Sequence, residues 1–248
     1  MISFKEYLCP DTIEEAYELT QKKSNIIIGG MLWVKMKKNS YNAAIDLSKL
    51  GLTYIKEEED GFHIGAMTSL REIETSNDLK VCFGECFGEA LKGIVGVQFR
   101  NSATLGGSIY GRYGFSDVFT LFLAMGAKVK LFKGGIMTLE EFKNLPRSYK
   151  DVLTEVIVPK NTEKTVYMSQ RNTRTDFPVV TCALCLRGGK MYCAIGARPK
   201  IAELFIAEDE KIPEDMEFSS NIRASEKYRK QIANVLLKRC INKVKEGV

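Results

Sequence analysis

Apolar and polar positions alternate along the chain with two different periods, and the switches between them mark out its elements. Thr12-Ile13-Glu14-Glu15 reads as a capping box opening an amphipathic helix that carries Ala16 and Leu19 and ends near Lys23. The short apolar run Ile26 to Ile28 predicts a strand leading into Gly29-Gly30, and Ala43 to Leu47 predicts another. Thr53 to Glu57 pairs with Phe62 to Met67 across an Asp60-Gly61 turn. Ser69-Leu70-Arg71-Glu72 starts a second capped helix, and Leu79 to Ile94 is helical again. Val118 to Ala124 is apolar all round, which predicts a deeply buried helix with Asp117 at its N-cap.

Beyond it, Lys128 to Phe132 and Gly134-Gly135 form a strand and turn, and Thr138-Leu139-Glu140-Glu141 caps a further short helix. Val152 to Val158, Val166 to Ser169, Val179 to Leu186 and Lys190 to Ile195 predict an antiparallel meander, the last two strands joined at Gly188-Gly189. A terminal helix from Ser225 carries Tyr228, Ile232, Val235, Leu236 and Cys240 on one stripe. The fold class is α+β, with a boundary near residue 145.

Two Gly-Gly pairs stand out, Gly29-Gly30 after the strand and Gly106-Gly107 inside Val97-Gln98-Phe99-Arg100-Asn101-Ser102-Ala103-Thr104-Leu105-Gly106-Gly107-Ser108-Ile109. Paired glycines tolerate the left-handed turns in which backbone amides gather on a phosphate, so two such loops suggest one dinucleotide. Neither loop has the G-x-G-x-x-G spacing of a Rossmann unit, and Arg112-Tyr113 stands where a P-loop needs Lys-Ser/Thr. Asp117 has two readings: a simple cap, or a hydrogen-bond partner for a ribose or ribityl hydroxyl.

At 248 residues and 45% hydrophobic content, the chain can bury a full core. No apolar run approaches the ~20 residues of a membrane span, and no export signal opens the sequence. Its seven cysteines, an odd number, fit reduced thiols, and the expected location is cytoplasmic. The net charge of +5 is spread among acidic residues without a basic stripe or stacking aromatics, so no nucleic-acid partner is expected. Cys182 and Cys185 lie three apart on a strand and point to opposite faces, while Cys82 and Cys86 can meet on a helix but lack further ligands, so no metal site is assigned. The single histidine, His63, reads as a solvent-facing strand residue, which removes His-based triads. With no catalytic residue assigned, the chemistry falls to a redox cofactor.

In this order, the Gly29-Gly30 loop, Ala44-Ile45-Asp46-Leu47, the segment from His63 to Glu74, the segment from Gln98 to Ile109, Ser116-Asp117 and the stretch from Ile222 to Arg239 resemble the FAD-binding medium subunit of molybdenum hydroxylases, the xanthine dehydrogenase and carbon monoxide dehydrogenase group. The resemblance implies a two-subdomain FAD-binding fold of the vanillyl-alcohol oxidase (PCMH) type, residues 1–50 and 51–145, and a small C-terminal α+β domain, residues 146–248. It implies cofactor contacts from Ile28, Gly29, Gly30, Met31, Leu32, Trp33, Arg100, Asn101, Thr104, Gly106, Gly107 and Ser108, with Tyr110 near the flavin and Asp117 near the sugar hydroxyls. Met31-Leu32-Trp33 replaces the family's usual polar pair, so phosphate contacts there are expected to be mostly main-chain. It also implies partners: a large molybdopterin-binding subunit, a small [2Fe–2S] subunit, and NAD among the electron acceptors. The alternative is a stand-alone FAD-binding or assembly protein without molybdopterin partners.

Overall fold

The computed structural model describes residues 2–208 and 210–246. Its N-terminal part is a parallel three-stranded sheet of β1 (Ser3–Leu8), β2 (Asn25–Ile28) and β3 (Ser40–Asp46), in the order β1-β3-β2. Helix α1 (Ile13–Gln21) packs on it through Ala16, in a core with Ile45, Leu47 and Leu52. Thr12 caps α1 as expected, but Glu15 reaches the amide of Asp11 at 3.0 Å in place of that of Thr12, so the box closes one residue early.

The middle of the chain builds a five-stranded sheet, β4-β5-β8-β6-β7, from β4 (Ile55–Glu57), β5 (Gly61–Gly65), β6 (Lys128–Leu131), β7 (Gly135–Thr138) and β8 (Leu153–Pro159). Between β5 and β6 run α2 (Leu70–Thr75), α3 (Asn77–Phe83), α4 (Cys86–Leu91), α5 (Val97–Ser102), α6 (Leu105–Tyr110) and α7 (Asp117–Ala124), and α8 (Leu139–Asn144) precedes β8. The strand at Val152 to Val158, expected to begin the meander, sits instead between β5 and β6. An apolar run reports that a strand is buried, and says nothing of which neighbours bury it. Both capping boxes at Ser69 and Thr138 form, and all of α7 is buried. The cap of α7, however, is Ser116, whose hydroxyl accepts from the Phe119 amide at 3.0 Å, which leaves Asp117 inside the helix. The helix expected through Leu79 to Ile94 breaks at Gly84, at φ +69°, so Cys82 is exposed on α3 while Cys86 is buried on α4.

His63 also departs from expectation: it is buried, with Nδ1 3.2 Å from Glu155 and Nε2 2.9 Å from Asp60. Strand alternation marked its face as the wet one, but β8 brings a carboxylate over that face.

The C-terminal part is the meander β12-β11-β10-β9, made of β9 (Lys164–Arg171), β10 (Pro178–Arg187), β11 (Lys190–Gly196) and β12 (Glu203–Ile206). Gly188 and Gly189, both at positive φ, close the two-residue β10–β11 hairpin, as such turns require. Helix α7 covers one face of this sheet and the terminal helix α9 (Glu226–Lys245) covers the other. Cys182 and Cys185 fall into these two separate cores, and Cys182 lies beside Cys193 with sulfurs 3.7 Å apart. The buried stripe of α9 is Arg229, Ala233, Leu236, Leu237, Cys240, Ile241 and Val244, which leaves Tyr228 and Val235 outside. Arg229 turns inward because its guanidinium serves the carbonyls of Val179 and Ala197. Among the described residues no helix is long and apolar enough to cross a membrane.

Candidate cofactor site

A cavity of about 800 Å³ opens between the three sheets, within the range that buries a sizeable organic ligand. Of the residues expected to hold a cofactor, Ile28, Gly29, Gly30, Met31, Leu32, Trp33, Thr104, Gly106, Gly107, Ser108, Tyr110 and Asp117 line it. Arg100 and Asn101 do not. Arg100 is buried behind α5, where Nε and Nη2 grip Glu74 at 2.8 and 3.0 Å and Nη1 donates to the Ile94 carbonyl, so its charge props up the loop from outside the cavity.

The two glycine loops differ in their amides. After β2 the chain turns through Met31 at φ +58°, and among the described residues the N–H groups of residues 30–33 meet no backbone acceptor. A run of unpaired amides around a left-handed residue is the geometry that gathers on an anion. At the second loop the amides are already engaged. Leu105 donates to Thr68 O at 2.9 Å, Gly106 to Ala66 O at 2.7 Å, Gly107 to Thr104 Oγ1 at 3.2 Å and Ser108 to Thr104 O at 3.1 Å. The expectation of two amide-presenting turns is therefore met by one.

Three residues other than glycine take positive φ on this cavity: Met31, Val95 (+49°) and Arg112 (+45°). For a β-branched valine this is a strained conformation, and such strain concentrates where a ligand is received. Five cations (Lys37, Arg112, Arg147, Lys150 and Arg171) face three carboxylates (Asp117, Asp151 and Asp176) along the wall, an excess that favours a diphosphate.

Asp117 is neither a cap nor a bare carboxylate. Its Oδ1 accepts from the Tyr167 hydroxyl and from Nη2 of Arg171, and Arg171 in turn donates to the Asp176 carbonyl at 2.5 Å. Burial pushes the Asp117 carboxyl up against the pull of Arg171, and burial beside that carboxylate holds the Tyr167 phenol well above its usual value. Tyr110 braces the opposite wall: its hydroxyl donates to Tyr149 O at 3.1 Å and accepts from the Asp151 amide at 3.2 Å.

Sequence reasoning missed Val95, Tyr113, Phe115, Arg171 and Phe177, all of which line the cavity. A valine inside Gly93-Ile94-Val95-Gly96 and rings inside Gly111-Arg112-Tyr113-Gly114-Phe115 were available signals for a shaped turn. Phe177 and Arg171 arrive from the C-terminal sheet, and nothing local announces them.

Unpaired main-chain donors, a cationic excess and apolar, aromatic walls fit a flavin dinucleotide. A family model described as the FAD binding domain in molybdopterin dehydrogenase matches residues 2–161. The glyceraldehyde dehydrogenase medium chain of Sulfolobus acidocaldarius is 26% identical over 195 residues, covering 73% of this chain and 69% of that one. Xanthine dehydrogenase of Oryza sativa subsp. japonica is 26% identical over 144 residues, 50% of this chain but 10% of that protein. In structure, quinoline 2-oxidoreductase from Pseudomonas putida 86 gives a TM-score of 0.85 at 20% identity, covering 98% and 97% of the two chains. Carbon monoxide dehydrogenase from Hydrogenophaga pseudoflava gives 0.82 at 22% identity, with 96% of each chain covered. These likenesses establish a shared fold of mixed helix and strand. The chain belongs to the family of FAD-binding domains of molybdopterin dehydrogenases, a flavin oxidoreductase subunit whose cofactor is FAD.

Proposed function

We propose that this chain is the electron-transfer subunit of a molybdopterin-dependent dehydrogenase or hydroxylase. It takes electrons from a small [2Fe–2S] subunit and passes them to NAD or another acceptor, while a large molybdopterin-binding subunit oxidises the substrate. The observation that supports this reading is the row of amides at residues 30–33, unpaired among the described residues, that opens onto a large aromatic-walled cavity. FAD supplies redox chemistry when bound, and the protein's part is to grip, orient and shield it.

The two FAD-binding subdomains of the vanillyl-alcohol oxidase type correspond, in this reading, to the β1–β3 sheet and the β4–β8 sheet. The third unit starts at β9, where the meander begins. Gly29 and Gly30 pack against Thr104 and Ser102, which supports a cavity shared between the first two units. Seven unpaired thiols support a cytoplasmic setting.

Affinity purification from the native host is the decisive experiment. Recovery of stoichiometric FAD together with a molybdopterin-containing large chain and an iron–sulfur small chain is the expected result, with flavin reduced by substrate only in the complex. FAD on a chain that captures neither partner would make it a stand-alone flavoprotein.

A further inference from the structure

Trp33, the single tryptophan of the chain, does more than close the amide loop. Its indole lies in the cavity among four rings, with centroids at 5.5 Å for Phe99, 6.4 Å for Tyr113, 5.3 Å for Phe115 and 5.2 Å for Phe177. None is parallel to it: the angles run from 34° to 64°, so no described ring stacks face to face on it. The supports are themselves fixed. Tyr113 stacks on Phe115 at 5.2 Å and 14°, and Phe115 meets Phe177 edge-on at 4.4 Å. Phe177 is held by its amide on the Asp176 carboxylate at 2.7 Å and lies 4.7 Å below the Arg223 guanidinium, which is itself paired with Asp176.

We propose that this cluster, with Trp33 at its centre, is the stacking wall for a planar heteroaromatic ring of the dinucleotide. The proposal rests on the FAD assignment above and deepens it. The main chain of Trp33 belongs to the amide row and its side chain to the ring wall, so one residue ties the anion to the neighbouring ring. A large rigid aromatic, half-buried and with no described ring stacked face to face on it, gains from a flat partner through dispersion and through the complementary quadrupoles of offset stacking. The same chemistry serves the isoalloxazine and the adenine, and the experiment separates them.

The test uses the full-length apoprotein, excited selectively at tryptophan so that the emission reports Trp33 and not the ten tyrosines. Titration with FAD is expected to quench that emission. Trp33→Leu, which keeps the backbone amide and much of the apolar volume, is expected to weaken FAD binding by roughly 5- to 150-fold, the range for removing one aromatic–base stack. Trp33→Phe is expected to restore most of the affinity, with circular dichroism and thermal midpoint confirming that both variants fold. If the loss in Trp33→Leu appears with FMN and not ADP, the isoalloxazine is the stacked ring; the reverse assigns the adenine. Wild-type FAD uptake with an unchanged affinity in Trp33→Leu would overturn the stacking wall, whether or not emission is quenched, while leaving the FAD assignment intact. Failure of the wild type to take up FAD at all would remove both.

Discussion

The two glycine pairs look alike in sequence and do different work. Gly29-Gly30 ends a strand and leaves the amides of residues 30–33 unpaired, whereas Gly106-Gly107 lies in the first turn of α6, where every amide from Leu105 to Ser108 already has an acceptor. The glycines differ again in what a side chain would strike. A Cβ at Gly30 would lie 1.7 Å from the Ser102 carbonyl oxygen, and one at Gly29 would lie 2.5 Å from Thr104 Oγ1. At Gly106 it would meet the Ala66 carbonyl at 2.8 Å, while at Gly107 only Thr104 Oγ1, at 3.1 Å, stands near. Three of the four glycines thus exist to let protein approach protein. A Gly-Gly pair in sequence signals a close approach, and the structure decides whether a ligand or the chain itself makes it.

Gly30→Val gives the sharpest break. The neighbour at Ser102 is backbone and cannot rotate away, so the penalty is expected to exceed the ~1–3 kcal/mol of ordinary overpacking. The two loops should part, with loss of FAD uptake and a clear drop in the urea midpoint. A protein that keeps wild-type stability and loses FAD would show that Gly30 faces the ligand alone.

Arg100→Met separates scaffold from site. Arg100 and Glu74 form a buried two-point ion pair, their side chains 5% and 9% exposed, and removal of the cation strands a carboxylate that keeps only the partly exposed Arg71. Loss of one partner of such a pair costs about 3–5 kcal/mol, and exposed Arg71 places this one toward the lower figure. Denaturant titration should register that loss, while the folded fraction binds FAD with near-native affinity. A large affinity loss at unchanged stability would instead restore Arg100 to the cofactor.

Gly107→Ala probes the second loop with the gentlest change. Alanine is favoured over glycine in a helix by about 1 kcal/mol, and the mild crowding of Thr104 Oγ1 offsets it. Stability should stay within about 1 kcal/mol of wild type, and flavin content, read from absorbance, should hold. An apoprotein of normal stability would mean that the bound diphosphate does press against this turn despite its engaged amides.

Much of this was legible beforehand, for identifiable reasons. The capping boxes at Ser69 and Thr138, the hairpin at Gly188-Gly189 and the buried α7 each follow from local chemistry that nearby residues complete. The strand before the first loop was legible because the apolar run Ile26 to Ile28 stops at Gly29. What escaped depends on partners distant in sequence. Asp117 looked like a cap because Ser116 and Asp117 are both good ones, and only Tyr167 and Arg171, 50 and 54 residues away, reveal which carboxylate turns inward. The β8 strand went to the wrong sheet because burial on both faces erases the alternation that reports a neighbour. The aromatic wall was hidden because Trp33, Phe115 and Phe177 come from segments far apart in sequence and meet only in the folded chain.

His63 offers a titration away from both loops, and so a control on them. Burial disfavours its imidazolium, but hydrogen bonds to Asp60 and Glu155 and the charges of Glu155 and Glu58 outweigh it and raise the histidine above its ordinary value of about 6.5. A raised folded value means that the protonated pair stabilises the fold fully below about pH 6.5 and loses that contribution as pH climbs through the folded value. Glu155 runs the other way: burial opposes its ionisation, but Tyr54, Lys130 and His63 together lower it, so its share is lost only as pH falls through that lowered value. His63→Gln should therefore narrow the stability difference between pH 6 and pH 8 by under about 1 kcal/mol, since Asp60 and Glu58 are solvent-screened. Thermal midpoints across that interval measure it. FAD affinity should follow the same pH curve in wild type and variant, because neither His63 nor Glu155 lines the cavity. A pH dependence of flavin binding that disappears with the histidine would tie the five-stranded sheet to the amide row, and the contrast between the loops would then have to include a distant charge.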